Sequence, residues 1–312
     1  MHLVIVEGIP GSGKSTTARF ISLQNERNGR ETKLFHESAF QHPIFLEREV
    51  TDPIEWREIY LANLDRFLAA LPEDHSVIVM ESVLFQNPMI EQLHLDADRD
   101  DIIRFIEEIY LRLAEINCTL IYLYQEDPTV GIHRMMAERG GENWLKHTYE
   151  KYKHMPYYVN RGQLDENLHL EFLYEYAVLA RDAYAKCKLN RLAIDNTAWE
   201  WPRYYNNILE FLNLTYMPDP ILSPQELMQY VGSFQNVELG VSIHIELQNE
   251  QLIIFGNQQL KPRDVHTFYL DHISMSLEFI SNDAGGFSSL IITEKDLVGN
   301  QKDEGTIFKR IS

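Results

Sequence analysis

The chain has 312 residues, enough for about two domains at roughly 150 residues each. With 28 Lys and Arg against 47 Asp and Glu, its formal net charge of −19 argues against sequence-independent binding to nucleic acid or an anionic bilayer. Hydrophobic residues make up 45% of it, enough to bury a real core, so global disorder is excluded.

No apolar run approaches the roughly 18 residues that cross a bilayer. The opening Met1-His2-Leu3-Val4-Ile5-Val6-Glu7 has no basic stretch and meets a charge early, unlike a secretory leader. Cys118 and Cys187 stand in no metal or redox spacing, so a reducing cytoplasm is the expected setting.

In chain order, short apolar runs at 3–6, 32–35, 77–80, 118–124 and 189–194 read as strands. Between them, Trp56, Ile59, Tyr60, Leu64, Phe67, Leu68 and Leu71 recur at helical spacing. So do Ile102, Ile106, Ile109, Leu113 and Ile116, and later Phe172, Tyr176, Leu179 and Ala183. Unbroken apolar strands alternating with helices predict a five-stranded parallel sheet covered on both faces, an α/β domain. Prolines 218, 220 and 224 then mark a linker, giving expected domains of 1–217 and 218–312. Beyond it the period changes to two: Val241, Ile243, Ile245 and Leu247 alternate with Ser242, His244 and Glu246. A turn at Asn249-Glu250 leads into a strand over 252–256, Met275, Leu277 and Phe279 alternate again, and Asp283-Ala284-Gly285-Gly286 precedes another strand. This predicts a small antiparallel β-barrel or sandwich.

The strongest motif is Gly8-Ile9-Pro10-Gly11-Ser12-Gly13-Lys14-Ser15, which fits G-x-x-x-x-G-K-[ST] with a strand before it and a helix after it. Glycines let backbone N–H groups curl toward phosphate oxygens, and the helix N-terminus adds partial positive charge there. Gly8, Gly11, Ser12, Gly13, Lys14, Ser15 and Thr16 are therefore the expected binders of a nucleoside triphosphate. Lys14 would reach the β- and γ-phosphates, and the Ser15 hydroxyl would ligate Mg²⁺. A GTPase base-reading N-K-x-D motif is lacking, as is a long apolar strand ending in Asp-Glu.

The stretch Val4-Ile5-Val6-Glu7-Gly8-Ile9-Pro10-Gly11-Ser12-Gly13-Lys14-Ser15-Thr16 resembles the opening of thymidylate and deoxynucleoside kinases of the P-loop superfamily. Carboxyl ends of parallel strands face the ligand crevice, which directs Glu37 and Glu81 at the phosphate loop. The resemblance implies that Glu37 is the base and that Glu81 organises Mg²⁺. Glu81-Ser82-Val83 lacks the arginine that usually follows the acid in those families. Arg134 and Arg139, on a short helical stretch ending at Gly140-Gly141, occupy the place of a basic lid over the transferring phosphoryl.

An acceptor is expected near His42, Pro43, Arg48, Trp56, Arg57 and Tyr60, or near the aromatic cluster from Tyr149 to Tyr158. Trp56, at helical spacing, reads as packing. Asp195 and Asn196, ending the fifth strand, are weaker candidates for contact with adenine. The loop, His42-Pro43, Ala137-Glu138-Arg139-Gly140 with Trp144, and Asp195-Asn196 before Trp199 are also similar to a group of uncharacterised bacterial P-loop kinase-like proteins. The stretch from Leu227 to Phe234, followed by the β pattern, resembles the small β domain appended to some serine β-lactamase-like hydrolases. No Ser-x-x-Lys nucleophile motif accompanies it, and His244, His266 and His272 lack ligand spacing.

The expected function is an ATP- and Mg²⁺-dependent kinase acting on a small hydroxyl- or phosphate-bearing acceptor such as a nucleoside, nucleotide or antibiotic-like compound. Two alternatives stand beside it: a nucleotide-sensing binding protein, and a polynucleotide end kinase, which would need a basic groove on an acidic chain.

Overall fold

The computed structural model describes residues 1–37, 39, 42–162, 165–270, 275–282, 286–293 and 305–311. His272 and the turn at 283–285 lie outside the described residues. The chain divides into two units, Met1–Glu37 with Pro43–Tyr216, and Ser38–His42 with Met217–Ser312.

The first unit is built on the parallel strands β1 (His2–Gly8), β2 (Thr32–Phe35), β3 (Val77–Glu81), β4 (Cys118–Tyr124) and β5 (Asn190–Asp195), in the spatial order β2-β3-β1-β4-β5. β1 is central, hydrogen-bonded to β3 on one side and β4 on the other. That order brings the carboxyl ends of β1 and β3 together, with Val6 opposite Glu81.

Alternate side chains of the strands serve two cores, as the period of two requires. Val4, Val6, Val79, Ile121, Leu123 and Ile194 face α1 (Lys14–Arg27) and, across the linker from β5, the helix Trp201–Leu212. Leu3, Ile5, Ile78, Met80, Leu120 and Tyr122 face the larger core. There they meet α2 (Pro53–Ala69), α3 (Gln86–His94), α4 (Arg99–Leu113), α5 (Pro128–Glu138), α6 (Glu142–Tyr152), α7 (Pro156–Asn160) and α8 (Asn167–Lys186). Trp201–Leu212 is thus α9.

Local sequence sets the helix ends. Asp52 accepts from the N–H groups of Ile54 and Glu55 to start α2, with Pro53 in the first turn. Asp98 does the same for α4, and Asp127 for α5. α1 ends where Gly29 takes φ 78°, the left-handed turn expected of a glycine just past a helix.

The second unit opens with the short helix α10 (Pro224–Leu227), whose Ser223 and Glu226 form a capping box. Eight strands follow: β6 (Gly232–Asn236), β7 (Val241–Gln248), β8 (Gln251–Ile254), β9 (Gln258–Pro262), β10 (Thr267–Tyr269), β11 (Ser276–Ser281), β12 (Phe287–Thr293) and β13 (Thr306–Arg310). Each pairs antiparallel with its sequence neighbour and β13 closes onto β6, so the sheet is a barrel, and the sandwich alternative falls. Asn249 and Glu250, at φ 49° and 61°, make the two-residue turn between β7 and β8. The strand expected over 252–256 stops at Ile254, because Phe255 and Gly256 turn at φ 52° and 82°. Phe234, Ile243, Ile245, Ile254, Phe268, Leu277, Phe279, Leu290, Ile292 and Phe308 fill the interior. Tyr230 packs its ring against Phe268, Phe279 and Phe287. Side-chain filling of this kind is what an eight-stranded barrel accommodates.

Candidate active site

The glycine loop joins β1 to α1. Its conformation needs glycine at two places: Gly11 and Gly13 have φ 79° and 83°, which side chains resist. Gly13 also has no room, since a Cβ there would lie 2.3 Å from the Trp201 ring. A Cβ on Gly8 would meet the Ser12 hydroxyl at 2.4 Å. The loop is held from outside as well. The Tyr176 hydroxyl donates to the Gly8 carbonyl (3.2 Å), and the Asn196 amide donates to the Ser12 carbonyl (2.6 Å). Among the described residues, no N-cap side chain bonds to the N-terminus of α1. Ser15 and Thr16 sit in that first turn, half-buried.

Lys14 is 5% exposed, and its Nζ lies 3.8 Å from Glu37 Oε2. The same oxygen accepts from the Ser82 hydroxyl (2.8 Å) and from the Gln86 amide (2.7 Å). Glu81 is fully buried at the end of β3. Its Oε1 meets His36 Nε2 at 2.6 Å and accepts from the Glu37 N–H at 3.2 Å. Burial pushes the Glu81 carboxyl pKa up, but the His36 hydrogen bond, the Lys14 and His36 charges and the Ser15 hydroxyl together hold it below the usual carboxylate value. Its Oε2 is buried with no hydrogen-bond partner among the described residues. Glu37 and Glu81 are therefore brought to Lys14 and Ser15, on the carboxyl side of the sheet.

The arginines behave differently from each other. The Arg134 guanidinium stands 4.6 Å over the Trp199 ring. Trp199 meets Trp201 edge-on, and Trp201 packs on Gly13, so Arg134 connects to the loop through two rings. Arg139, exposed just past α5, stands 5.7 Å over Trp144 instead. Neither forms an ion pair among the described residues.

Of the expected acceptor side chains, Trp56 stacks on Tyr60 and meets Phe105 edge-on, as packing. Tyr157 and Tyr158 are buried in the core, and Arg57 is tied to backbone carbonyls of Pro53 and Asp101. Asp195 caps a local turn at Thr197, beside a cleft of about 400 Å³ lined partly by Arg203, Tyr204 and Asn207.

Reading the sequence missed four residues of this site: Glu7, His36, Ser82 and Gln86. Glu7 did carry a signal, a lone charge inside an apolar strand directly before the first loop glycine. Ser82 follows Glu81 at φ 65°, and no sequence pattern marks a serine for left-handed backbone.

Nucleotide and magnesium can be tested against these atoms. The uncapped N-terminus of α1 and the buried Lys14 suit a polyphosphate. The Ser15 hydroxyl and the unpartnered Glu81 Oε2 are oxygen donors of the kind Mg²⁺ takes, directly or through water. The residues fit both.

Solved structures similar to this chain include the YorR protein from Bacillus subtilis in complex with phosphorylated GDP, at 16% identity and a TM-score of 0.37, covering 68% of this chain and 95% of that one. Another is deoxyadenosine kinase from M. mycoides with bound dATP, at 16% identity and a TM-score of 0.41, covering 68% of this chain and 99% of that one. No family model matches the sequence, and no curated protein matches it.

Proposed function

We propose that the chain is an ATP- and Mg²⁺-dependent kinase that transfers the γ-phosphoryl to a small hydroxyl- or phosphate-bearing acceptor. The observation that carries this reading is the meeting of Lys14 with Glu37 beside the glycine loop, 3.8 Å apart. A phosphate-binding cation and a carboxylate able to take a hydroxyl proton then share one site.

In this reading Lys14 and the α1 N–H groups neutralise charge on the triphosphate, and Arg134 adds to that field when the α5 segment closes. Bound Mg²⁺ would supply charge neutralisation at the β- and γ-oxygens, held through Ser15 and Glu81. Among the described residues, the Ser82, Gln86 and Lys14 side-chain contacts all fall on Glu37 Oε2, and in this reading Oε1 accepts the proton of an acceptor hydroxyl. Arg139 has the weaker claim to the lid, because its ring partner is Trp144.

The test is incubation with labelled ATP and pooled nucleosides, nucleotides and aminoglycoside-type compounds, with ATP affinity measured alongside. We expect a labelled product, and Lys14→Ala should weaken ATP binding at least about tenfold, as loss of a buried charged contact does. Tight ATP binding with no labelled product would favour a nucleotide-sensing protein. Unchanged ATP binding in Lys14→Ala would overturn the site itself.

A further inference from the structure

Glu7 is the last side chain of β1 before the loop and is fully buried. Its Oε1 accepts from the Leu84 N–H (2.5 Å) and its Oε2 from the Gln86 N–H (3.2 Å), with the Phe85 N–H also directed at it. These are the residues that turn the chain from β3 into α3. Phe85, in the N-cap position of α3, offers no side-chain cap of its own. Glu7 supplies the missing acceptor from another strand, and its charge lies at the favourable end of that helix.

The turn that Glu7 holds is the one that organises the two acids. Ser82 and Gln86 both donate to Glu37, and Ser82 does so from φ 65°, a conformation that needs support from its surroundings. The Tyr60 hydroxyl donates to the Val83 carbonyl, and the Asn87 N–H closes back on the Ser82 carbonyl at 2.9 Å. One covalent step separates the Gln86 N–H on Glu7 from the Cα whose side chain reaches Glu37.

We infer that Glu7 is a positioning residue: its carboxylate clamps the 84–86 turn so that Ser82 and Gln86 aim Glu37 at the acceptor. This role rests on the kinase reading and adds a residue to it that does not touch substrate.

The chemistry requires a carboxylate. Both oxygens receive N–H groups, so an amide in its place would lose one bond and set its own NH₂ against a backbone donor. Protonation has a related effect, because one oxygen becomes a donor. Burial pushes the Glu7 pKa up to about 7, against the Leu84, Phe85 and Gln86 N–H groups and the Lys14 charge, which lower it. The Glu7 charge in turn acts on Tyr60 from α2, Tyr110 from α4, Tyr122 from β4 and Tyr176 from α8, phenols that are neutral near pH 7 and that burial shifts further up. The clamp therefore loosens on acidification through neutrality.

The test compares wild type with Glu7→Gln in the full chain. ATP affinity should stay within about threefold, since Lys14 and the loop are untouched, while kcat falls by about ten- to a hundredfold as Glu37 loses its aim. Wild-type kcat should fall as pH drops through about 7, and in Glu7→Gln that limb should vanish. Amide hydrogen exchange at 84 and 86 should rise in the variant, and in wild type at acid pH beyond the intrinsic pH trend. If Glu7→Gln does not fold, Gln86→Ala cuts the link at its other end and should lower kcat with ATP affinity kept. Equal kcat, equal pH profile or unchanged exchange at 84 and 86 would overturn the role of Glu7 alone. A wild-type chain that binds no ATP would overturn the kinase reading and this role with it.

Discussion

Acid should destabilise the first unit through two buried histidines, and the size of the effect follows from their surroundings. His94 lies between Phe172 and Tyr152, stacked on both at 4.6 Å, and its Nε2 has no hydrogen-bond partner among the described residues. His169 stacks on Phe172 at 5.7 Å and is bonded to the Tyr158 hydroxyl at 2.7 Å. Burial, then the charges of His169, Lys151 and His154, brings His94 down to about 3, and burial brings His169 down to about 4. The folded state binds fewer protons than the unfolded one, so this stability is complete above the unfolded pKa of about 6.5 and drains as pH falls toward those values. At pH 5 an unfolded imidazole is almost wholly protonated and both folded ones are not, a loss of about 2 kcal/mol each relative to pH 7.5. Glu7 opposes this. Its raised pKa gives stability that is complete below its unfolded value and is lost as pH rises through about 7, so acidification to pH 5 returns about 2 kcal/mol. Glu91, also pushed up by burial, acts in the same direction as Glu7.

Denaturant unfolding at pH 7.5 and pH 5, followed by tryptophan fluorescence, isolates the right unit, because Trp56, Trp144, Trp199 and Trp201 all precede the linker. His94→Phe keeps a stacking ring and removes the titration. Its stability change between the two pH values should be about 2 kcal/mol more favourable than that of wild type. Glu7→Gln should be about 2 kcal/mol less favourable over the same interval. Wild-type pH dependence in His94→Phe would refute the account of the buried ring stack.

Gly13→Ala combines a left-handed backbone, costing about 1–2 kcal/mol for a side chain, with a collision against Trp201. Overpacking adds about 1–3 kcal/mol, so a loss of about 2–5 kcal/mol in the same unfolding assay is expected, together with weakened ATP binding. In the barrel, Phe234→Ala empties a fully buried ring position beside Phe279. The loss there should be about 3–5 kcal/mol by calorimetry, with the tryptophan-monitored transition of the first unit unmoved.

Much of the framework was legible in the chain. All five strands of the first unit, the helices α1, α2, α4 and α8 and the glycine loop follow from apolar runs, helical spacing and residues whose backbone freedom is local, whereas α3, α6, α7 and α9 carried no pattern that was read. The barrel was half legible. β7 and β11 alternate cleanly and β8 and β12 read as apolar runs after turn residues, whereas β9, Gln258–Pro262, and β10, Thr267–Tyr269, are short and carry too little pattern to read. Barrel and sandwich share that alternation, and only the pairing of β13 with β6 separates them.

The site divides along the same line. Lys14, Ser15 and the glycines belong to one contiguous motif, so the sequence alone was enough to name them as candidates. Glu37 and Glu81 could be named as acids at strand ends, but their partners could not. Which oxygen faces Lys14, that Ser82 and Gln86 hold Glu37, and that Glu7 reaches across to Leu84 and Gln86 were decided by β3 lying beside β1. These contacts join residues 45, 49 and 77 positions apart. Hydrophobic period and turn chemistry specify what a segment becomes. They do not specify which segment will be its neighbour, and hydrogen bonds across that separation exist only once the sheet has its order.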